Sequence, residues 1–347
     1  MELLEKLCKT YGPTSCEWAV QRLVAEECKS MQMNCEGDAI GNLYATWNNG
    51  GSLRIGLIAH ADEIGMQVSG ITDEGLLRFR KIGGLRATSL DGHHVVVLTR
   101  KGTLDGVIGS DPMNDNGTEK GILVSTGDLW IDIGAESRCE AEDLVEIGDL
   151  VVFNASVTRL GKHRIVSKAL DDRLGLYVIL RALQQLKSLS LKSEVVAISS
   201  VQEEISMRGI MASRKPLDVA IVLDVDYATD APNAHAEMGR LVLGGGIGTN
   251  RNADSNPVLR SIVETVAIEE GVSLQQTISR NISGGTDATR LGTMGDIATL
   301  NLNVPLRYMH THSEMCDIRD VEAAIGVVVS LVRQLDSMSK STFIPWQ

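Results

Sequence analysis

Apolar positions along the chain keep two different rhythms. In "LRIGLIAH" (53–60), "EVVAISSV" (194–201), "DVAIVLDV" (218–225) and "IATLNLNV" (297–304) they run almost without a break. Runs of that length predict strands covered on both faces. Between and around them the period changes to that of a helix. "LDDRLGLYVILRALQQL" places Leu176, Ile179, Leu180 and Leu183 on one face, and "RDVEAAIGVVVSLVRQL" closes the chain in the same way. "TSCE" (14–17) has the S/T-x-x-E form of a capping box and predicts a helix running toward Met31. In "NPVLRSIVETVAIEEG", Asn256 is a candidate N-cap, Pro257 sits in the first turn and Gly271 is a stop.

The middle of the chain lacks the helical rhythm. From Met66 to Ser156 short β-like runs such as "HHVVVLTR", "GTLDGVIG" and "DLVVFNASV" are broken by Gly, Asp and Asn, and no helix is expected. The predicted architecture is an α/β domain, residues 1–65 and 157–347, with a mixed sheet flanked by helices. Residues 66–156 form a small inserted all-β, barrel-like domain. "GGGIGTN" (244–250) lacks dinucleotide-binding spacing and predicts a loop for close backbone approach.

Composition narrows the reading. Of 347 residues 43% are hydrophobic but only 3% aromatic, so a large core must be aliphatic. A net charge of −12 speaks against a nucleic-acid partner, which needs a basic face. No apolar run approaches the roughly 18 residues of a membrane span. "MELLEKLCKTYG" carries acids and no long apolar segment, unlike a secretory signal. The six cysteines contain no C-x-x-C pair and read as buried thiols of a cytoplasmic chain.

What the apolar runs end in is the chemical signal. The first stops at His60 and Asp62. "ISSVQEE" ends in Glu203 and Glu204, "AIVLDVD" in Asp224 and Asp226, and "NLNVPLRYMHTHSE" delivers His310 and His312. "SKALDDR" adds Asp171 and Asp172 at a helix start. Each has a plainer reading alone: a helix cap, a solvated loop, a turn, a surface histidine. Together, five segments bring His, Asp and Glu toward the carboxyl edge of one sheet, where open α/β sheets bind ligands. Imidazole nitrogen with carboxylate oxygen suits zinc, cobalt or manganese. Two histidines and three carboxylates hold two ions when one carboxylate bridges. Paired metals about 3.5–4 Å apart serve aminopeptidases, phosphatases and nucleases. A carboxylate beside a ligand carboxylate supplies a general base for water on the metals, and the Glu203–Glu204 doublet offers that pairing. There is no H-E-x-x-H, G-x-S-x-G, Walker A or G-x-G-x-x-G motif.

"AHADEIG", "KALDDRLG", "VQEEISMRG", "VLDV", "SGGTDATRLG" and "RYMHTHSE" occur in this order. In this the chain resembles the tetrahedral, dodecameric aminopeptidases. That family includes glutamyl and deblocking aminopeptidases and members once labelled cellulase M or endoglucanase. The resemblance implies that His60, Asp171 and Asp224 hold one metal. Asp171, Glu204 and His310 would hold the other, with Asp171 bridging. Glu203 is then the general base and Asp62 orients His60. It further implies two divalent ions per subunit, zinc or cobalt before manganese. The substrates would be short peptides, and the inserted domain would serve dimers that build a hollow twelve-subunit tetrahedron. Asp172 stands where many relatives carry Asn, and "MHTH" leaves His310 and His312 as rivals. The alternatives are a glycoside hydrolase, which needs two carboxylates but no metal, and a non-catalytic metal-binding scaffold. Against the first, none of the four tryptophans (18, 47, 130, 346) lies in a candidate motif.

Overall fold

A computed structural model describes residues 1–48, 50–110, 125–232, 239–278 and 285–346. Helices α1 (Glu2–Lys9) and α2 (Trp18–Ser30) lead into β1 (Asn34–Gly37), β2 (Leu43–Trp47) and β3 (Arg54–His60). The next strands are β4 (Gly65–Ile71), β5 (Leu77–Ile82), β6 (His94–Thr99), β7 (Gly102–Ser110) and β8 (Leu129–Asp132). Helix α3 (Arg138–Leu144) and β9 (Leu150–Phe153) follow. Strands β10 (Val157–Leu160) and β11 (Arg164–Ser167) precede α4 (Leu170–Leu186), β12 (Glu194–Ser200), α5 (Arg208–Ala212) and β13 (Val219–Tyr227). The chain closes with β14 (Ile247–Asn250), α6 (Pro257–Glu269), β15 (Leu274–Thr277), α7 (Asp287–Met294), β16 (Ala298–Leu306), β17 (Glu314–Asp317) and α8 (Ile318–Leu335).

Eight strands form one sheet in the order β1-β2-β12-β3-β13-β16-β14-β15. Its centre, β12-β3-β13-β16, is parallel. The unbroken apolar runs are explained by burial on both faces. Ile55, Leu57 and Ala59 of β3 join the core beneath α1, α2, α4 and α8. Ile58 packs on the other face with Ile198, Ala220, Val222, Ile210 and Leu291. Each leucine, isoleucine or valine among them contributes about 1.5–3 kcal/mol by leaving water. A three-stranded sheet, β10-β11-β17, lies beside it, and β4-β5-β8-β7-β6-β9 close into a barrel. The barrel keeps its own apolar interior, including Met66, Leu77, Phe79, Val97, Ile131 and Phe153. Along β5, buried Leu77 and Phe79 alternate with exposed Arg78 and Arg80, the period-2 pattern of a half-buried strand.

Several local expectations hold. Asn256 caps α6, accepting from the amides of Val258 and Leu259 at 3.0 and 3.2 Å. Gly271, at φ +65°, follows the helix end. Gly246, at φ +93°, allows the close approach foreseen for the glycine run: a Cβ there would stand 2.1 Å from the Ser273 carbonyl oxygen. Ile247–Asn250 of that stretch is strand β14 rather than loop.

Other expectations fail. "TSCE" is not a capping box. Helix α2 starts at Trp18 with no side-chain cap. The Thr14 hydroxyl donates instead to Asp62 Oδ2 at 2.7 Å, and Glu17 accepts from the amides of Ser15 and Gln202 at 2.8 and 3.2 Å. The β region also contains a helix, α3, capped by Ser137, whose hydroxyl accepts from the Glu140 amide at 3.3 Å. It is seven residues long and buries only Ala141, too little for a periodic signal. Among the described residues no helix is long and apolar enough to cross a membrane. All six cysteines are free as expected, but only Cys8, Cys28 and Cys316 are buried, and Cys139 is exposed.

Candidate metal centre

The parallel centre of the sheet brings the polar strand ends together. Ser200 of β12 pairs with His60 of β3, so residues after Ser200 pass directly beyond the histidine. These are Gln202, Glu203 and Glu204. Asp224 stands near the end of β13, and His310 lies in the connection from β16 to β17. Asp171 and Asp172 sit where β11 hands over to α4, with non-helical dihedrals before the regular turns and a cis peptide bond between them.

Two groups of possible ligands result: His60, Asp171 and Asp224, and Asp171, Glu204 and His310. Within each, one ligand atom per residue lies within 4.8 Å of the others. Asp171 is common to both. Its Oδ1 is 3.0 Å from His60 Nε2 and its Oδ2 is 3.1 Å from His310 Nε2. Glu204 Oε2 is 3.4 Å from the same His310 nitrogen. His312 lies in neither group. Its ring stacks on His93 with centroids 3.6 Å apart, beside Phe153 at 5.9 Å.

The supporting contacts explain the rest of the polar signal. His60 Nδ1 is 3.1 Å from the Asp62 carbonyl oxygen and 3.5 Å from Asp62 Oδ1. The Asp62 carboxylate accepts from the amides of Glu203 and Glu204 at 3.0 and 3.2 Å, besides the Thr14 hydroxyl. It therefore holds the glutamate loop as well as facing the histidine. Asp172 accepts from the amides of His60 and Gly175 at 3.2 and 2.9 Å. The helix-capping reading is thus right for Asp172, whose acceptor oxygens are what those amides require. Sequence reasoning missed four contributors. Glu314 accepts from the amides of Asp171 and His310 at 3.0 and 2.9 Å. Asp287 accepts from the Ser200 hydroxyl at 2.5 Å. Gly83 and Gly84, from the barrel, approach Glu204 and His310. "HSE" and "TDA" carried the two acids in plain sight, but no apolar run ends at either. Ser283 and Gly284 of "SGGTDATRLG" lie outside the described residues.

Charge crowding marks the site. Burial raises Asp172, Glu203, Asp224 and Glu314 well above the usual carboxylate range, and neighbouring carboxylates push the same way. Burial also disfavours charge on Asp62 and Asp171. Hydrogen bonds from His60 and Thr14 to the first, and from His310 and His60 to the second, outweigh it and hold both below that range. Burial likewise opposes protonation of the histidines. Their carboxylate partners overcome it, raising His60 well above its ordinary value and His310 to about 12. Glu203 Oε1 and Glu204 Oε1 are buried with no hydrogen-bond partner among the described residues. Orphaned acceptors in an acid-rich pocket, with imidazole nitrogens facing the same space, fit divalent cations bound by nitrogen and oxygen.

The sequence profile of the M42 glutamyl aminopeptidases matches residues 41–327. The chain belongs to that family. It is a metallo-aminopeptidase, a hydrolase of peptide bonds, and the glycosidase and scaffold alternatives fall away. A lysyl aminopeptidase of Pyrococcus furiosus is 32% identical, over 97% of this chain and 98% of the relative. The TET aminopeptidase of the marine sediment archaeon Thaumarchaeota archaeon SCGC AB-539-E09 superposes with a TM-score of 0.93. It is 31% identical, with 99% of this chain and 98% of that one covered. The TET1 peptidase of Pyrococcus horikoshii, described as assembling into a tetrahedron or a large octahedral shell, gives 0.85. Its identity is 32%, over 95% of this chain and 98% of its own.

Proposed function

We propose that this member of the family is a dinuclear enzyme that releases N-terminal amino acids from short peptides. One observation carries the reading: two ligand groups share Asp171, beside a buried Glu203 carboxylate whose Oε1 has no partner among the described residues. His60, Asp171 and Asp224 would hold one ion, and Asp171, Glu204 and His310 the other, zinc or cobalt before manganese. When bound, the ions supply Lewis acidity to the scissile carbonyl and to water. Glu203 takes a proton from the attacking water on its carboxylate and returns it to the leaving amine. Burial, which raises its proton affinity, suits that double task. Asp62 keeps Glu203 in place through the loop amides and faces His60 Nδ1, so that Nε2 is turned toward Asp171.

The assembly belongs to the same proposal. Residues 66–156 serve dimerisation, and dimers build a dodecamer with the sites inside, which excludes folded proteins by size. The shells formed by the P. horikoshii relative support this. Six free thiols suit the reducing cytoplasm. The test is hydrolysis of aminoacyl p-nitroanilides and cellulosic substrates before and after dialysis against a strong chelator. Peptidase activity should vanish and return with zinc, cobalt or manganese. Undiminished turnover by fully stripped protein would sink the mechanism.

A further inference from the structure

The barrel reaches the metal centre through a pair of glycines. Gly83 and Gly84 follow β5 and lie against the second ligand group. A Cβ on Gly84 would stand 2.1 Å from His310 Nδ1 and 2.7 Å from His310 Cε1. One on Gly83 would stand 2.9 Å from Glu204 Oε2. The two glycines are required for different reasons. Gly83 has φ +76°, a conformation that side chains resist in any surroundings. Gly84 has no such backbone restriction, and the three atoms nearest to a side chain there all belong to the His310 imidazole.

The contact has a direction. His310 Nε2 faces Asp171 and Glu204, and Gly84 closes on the opposite nitrogen, Nδ1. The His310 amide is tied to Glu314 Oε1 at 2.9 Å, so the main chain of the histidine is fixed while its ring rests on the barrel loop. We propose that Gly84 is a positioning residue that seats the His310 imidazole, so that the ion site of Asp171, Glu204 and His310 is built jointly by the sheet and the barrel. Among the described residues, no barrel glycine has His60, Asp171 or Asp224 among the atoms nearest to its Cβ position. The inference rests on the two-ion reading above.

Alanine at position 84 would push the ring, the movable partner, off its seat and draw Nε2 away from the carboxylates. Zinc uptake by metal-free protein, followed by equilibrium dialysis and by cobalt absorption spectra, tests this. Wild type should take two equivalents. G84A should keep one at wild-type affinity and bind the second about 10–100-fold more weakly, the usual effect of losing a residue that orients a ligand. G70A, whose added Cβ would meet nothing closer than Arg78 Cβ at 3.8 Å, should match wild type. In an H310A background, G84A should change neither the remaining site nor the melting temperature, because no ring is left to displace. Two equivalents at unchanged affinity in G84A would overturn the inference. So would a G84A/H310A protein that melts below H310A by as much as G84A melts below wild type. A wild type that takes fewer than two equivalents would overturn the two-ion reading itself, and the inference with it.

Discussion

Glu203 and Glu204 are adjacent and identical, yet their surroundings differ, and the proposed mechanism gives them different tasks. Glu204 Oε2 lies by His310 Nε2, inside a ligand group. Glu203 belongs to neither group, and its Oε2 is 4.0 Å from His60 Nε2. Glu203→Gln should keep about two metals per chain and lose kcat by about 10²–10⁴-fold with little change in KM. Glu204→Gln should lose occupancy at one site, with activity partly recovered in excess metal. Metal analysis beside steady-state kinetics checks both, and the opposite pairing would invert the roles. At this scale His60, Asp171, Glu203, Glu204, Asp224 and His310 were among the candidates the sequence offered, because each follows an apolar run or opens a helix, and only the family resemblance preferred His310 to His312. Glu314, Asp287 and Gly84 were not. Each acts on a residue from a distant part of the chain, and nothing local distinguishes an acid that accepts two amides from one on a surface.

The segment between α1 and α2 shows how an element can be misread. Its spacing fits a cap, but Thr14 and Glu17 are turned away from the helix toward Asp62 and Gln202. A local rule lost to a tertiary contact, as happens where loops serve a site. The cost shows in Glu17. Burial, then the charge of Asp62, raise its pKa from an ordinary 4.5 to about 7. The folded chain therefore binds this proton more tightly than the unfolded chain. The corresponding stability is lost as pH rises from about 4.5 through about 7. Glutamine keeps an oxygen for both amides and carries no charge. Glu17→Gln should melt higher than wild type at pH 8, and the gap should close toward pH 5. One pKa unit is worth about 1.4 kcal/mol, so after screening by water the gap is on the order of 1–3 kcal/mol. Thermal melts across that range decide it. A gap that stays constant with pH would mean that Glu17 does not titrate there. The four central strands, by contrast, were read correctly because burial on both faces leaves an unbroken apolar run, a signal that the short strand β14 lacks.

Across the whole molecule the centre is a concentration of like charge that the fold alone does not balance. The raised carboxylates Asp172, Glu203, Asp224 and Glu314 favour the folded state when protonated, and so do the raised histidines His60 and His310. Both sets lose that contribution as pH rises, so metal-free protein should be less stable at pH 8 than at pH 6. Divalent ions favour the deprotonated ligands and reverse the slope. The melting-temperature gap between loaded and stripped protein should widen from pH 6 to pH 8, and a gap that narrows would place the ions elsewhere. Light scattering at micromolar concentration should give a particle far heavier than the 37.4 kDa chain, and a monomer would refute the shell. The proposed ligands are also spread unevenly, at 60, 171, 204, 224 and 310, with the barrel between the first two. Translation therefore delivers the barrel, with its separate apolar interior, while only His60 of the five has been made. The three side chains of the first ion site are complete once Asp224 emerges. On the proposed assignment the second waits for His310, so a growing polypeptide carries the side chains of one ion site before it carries those of both.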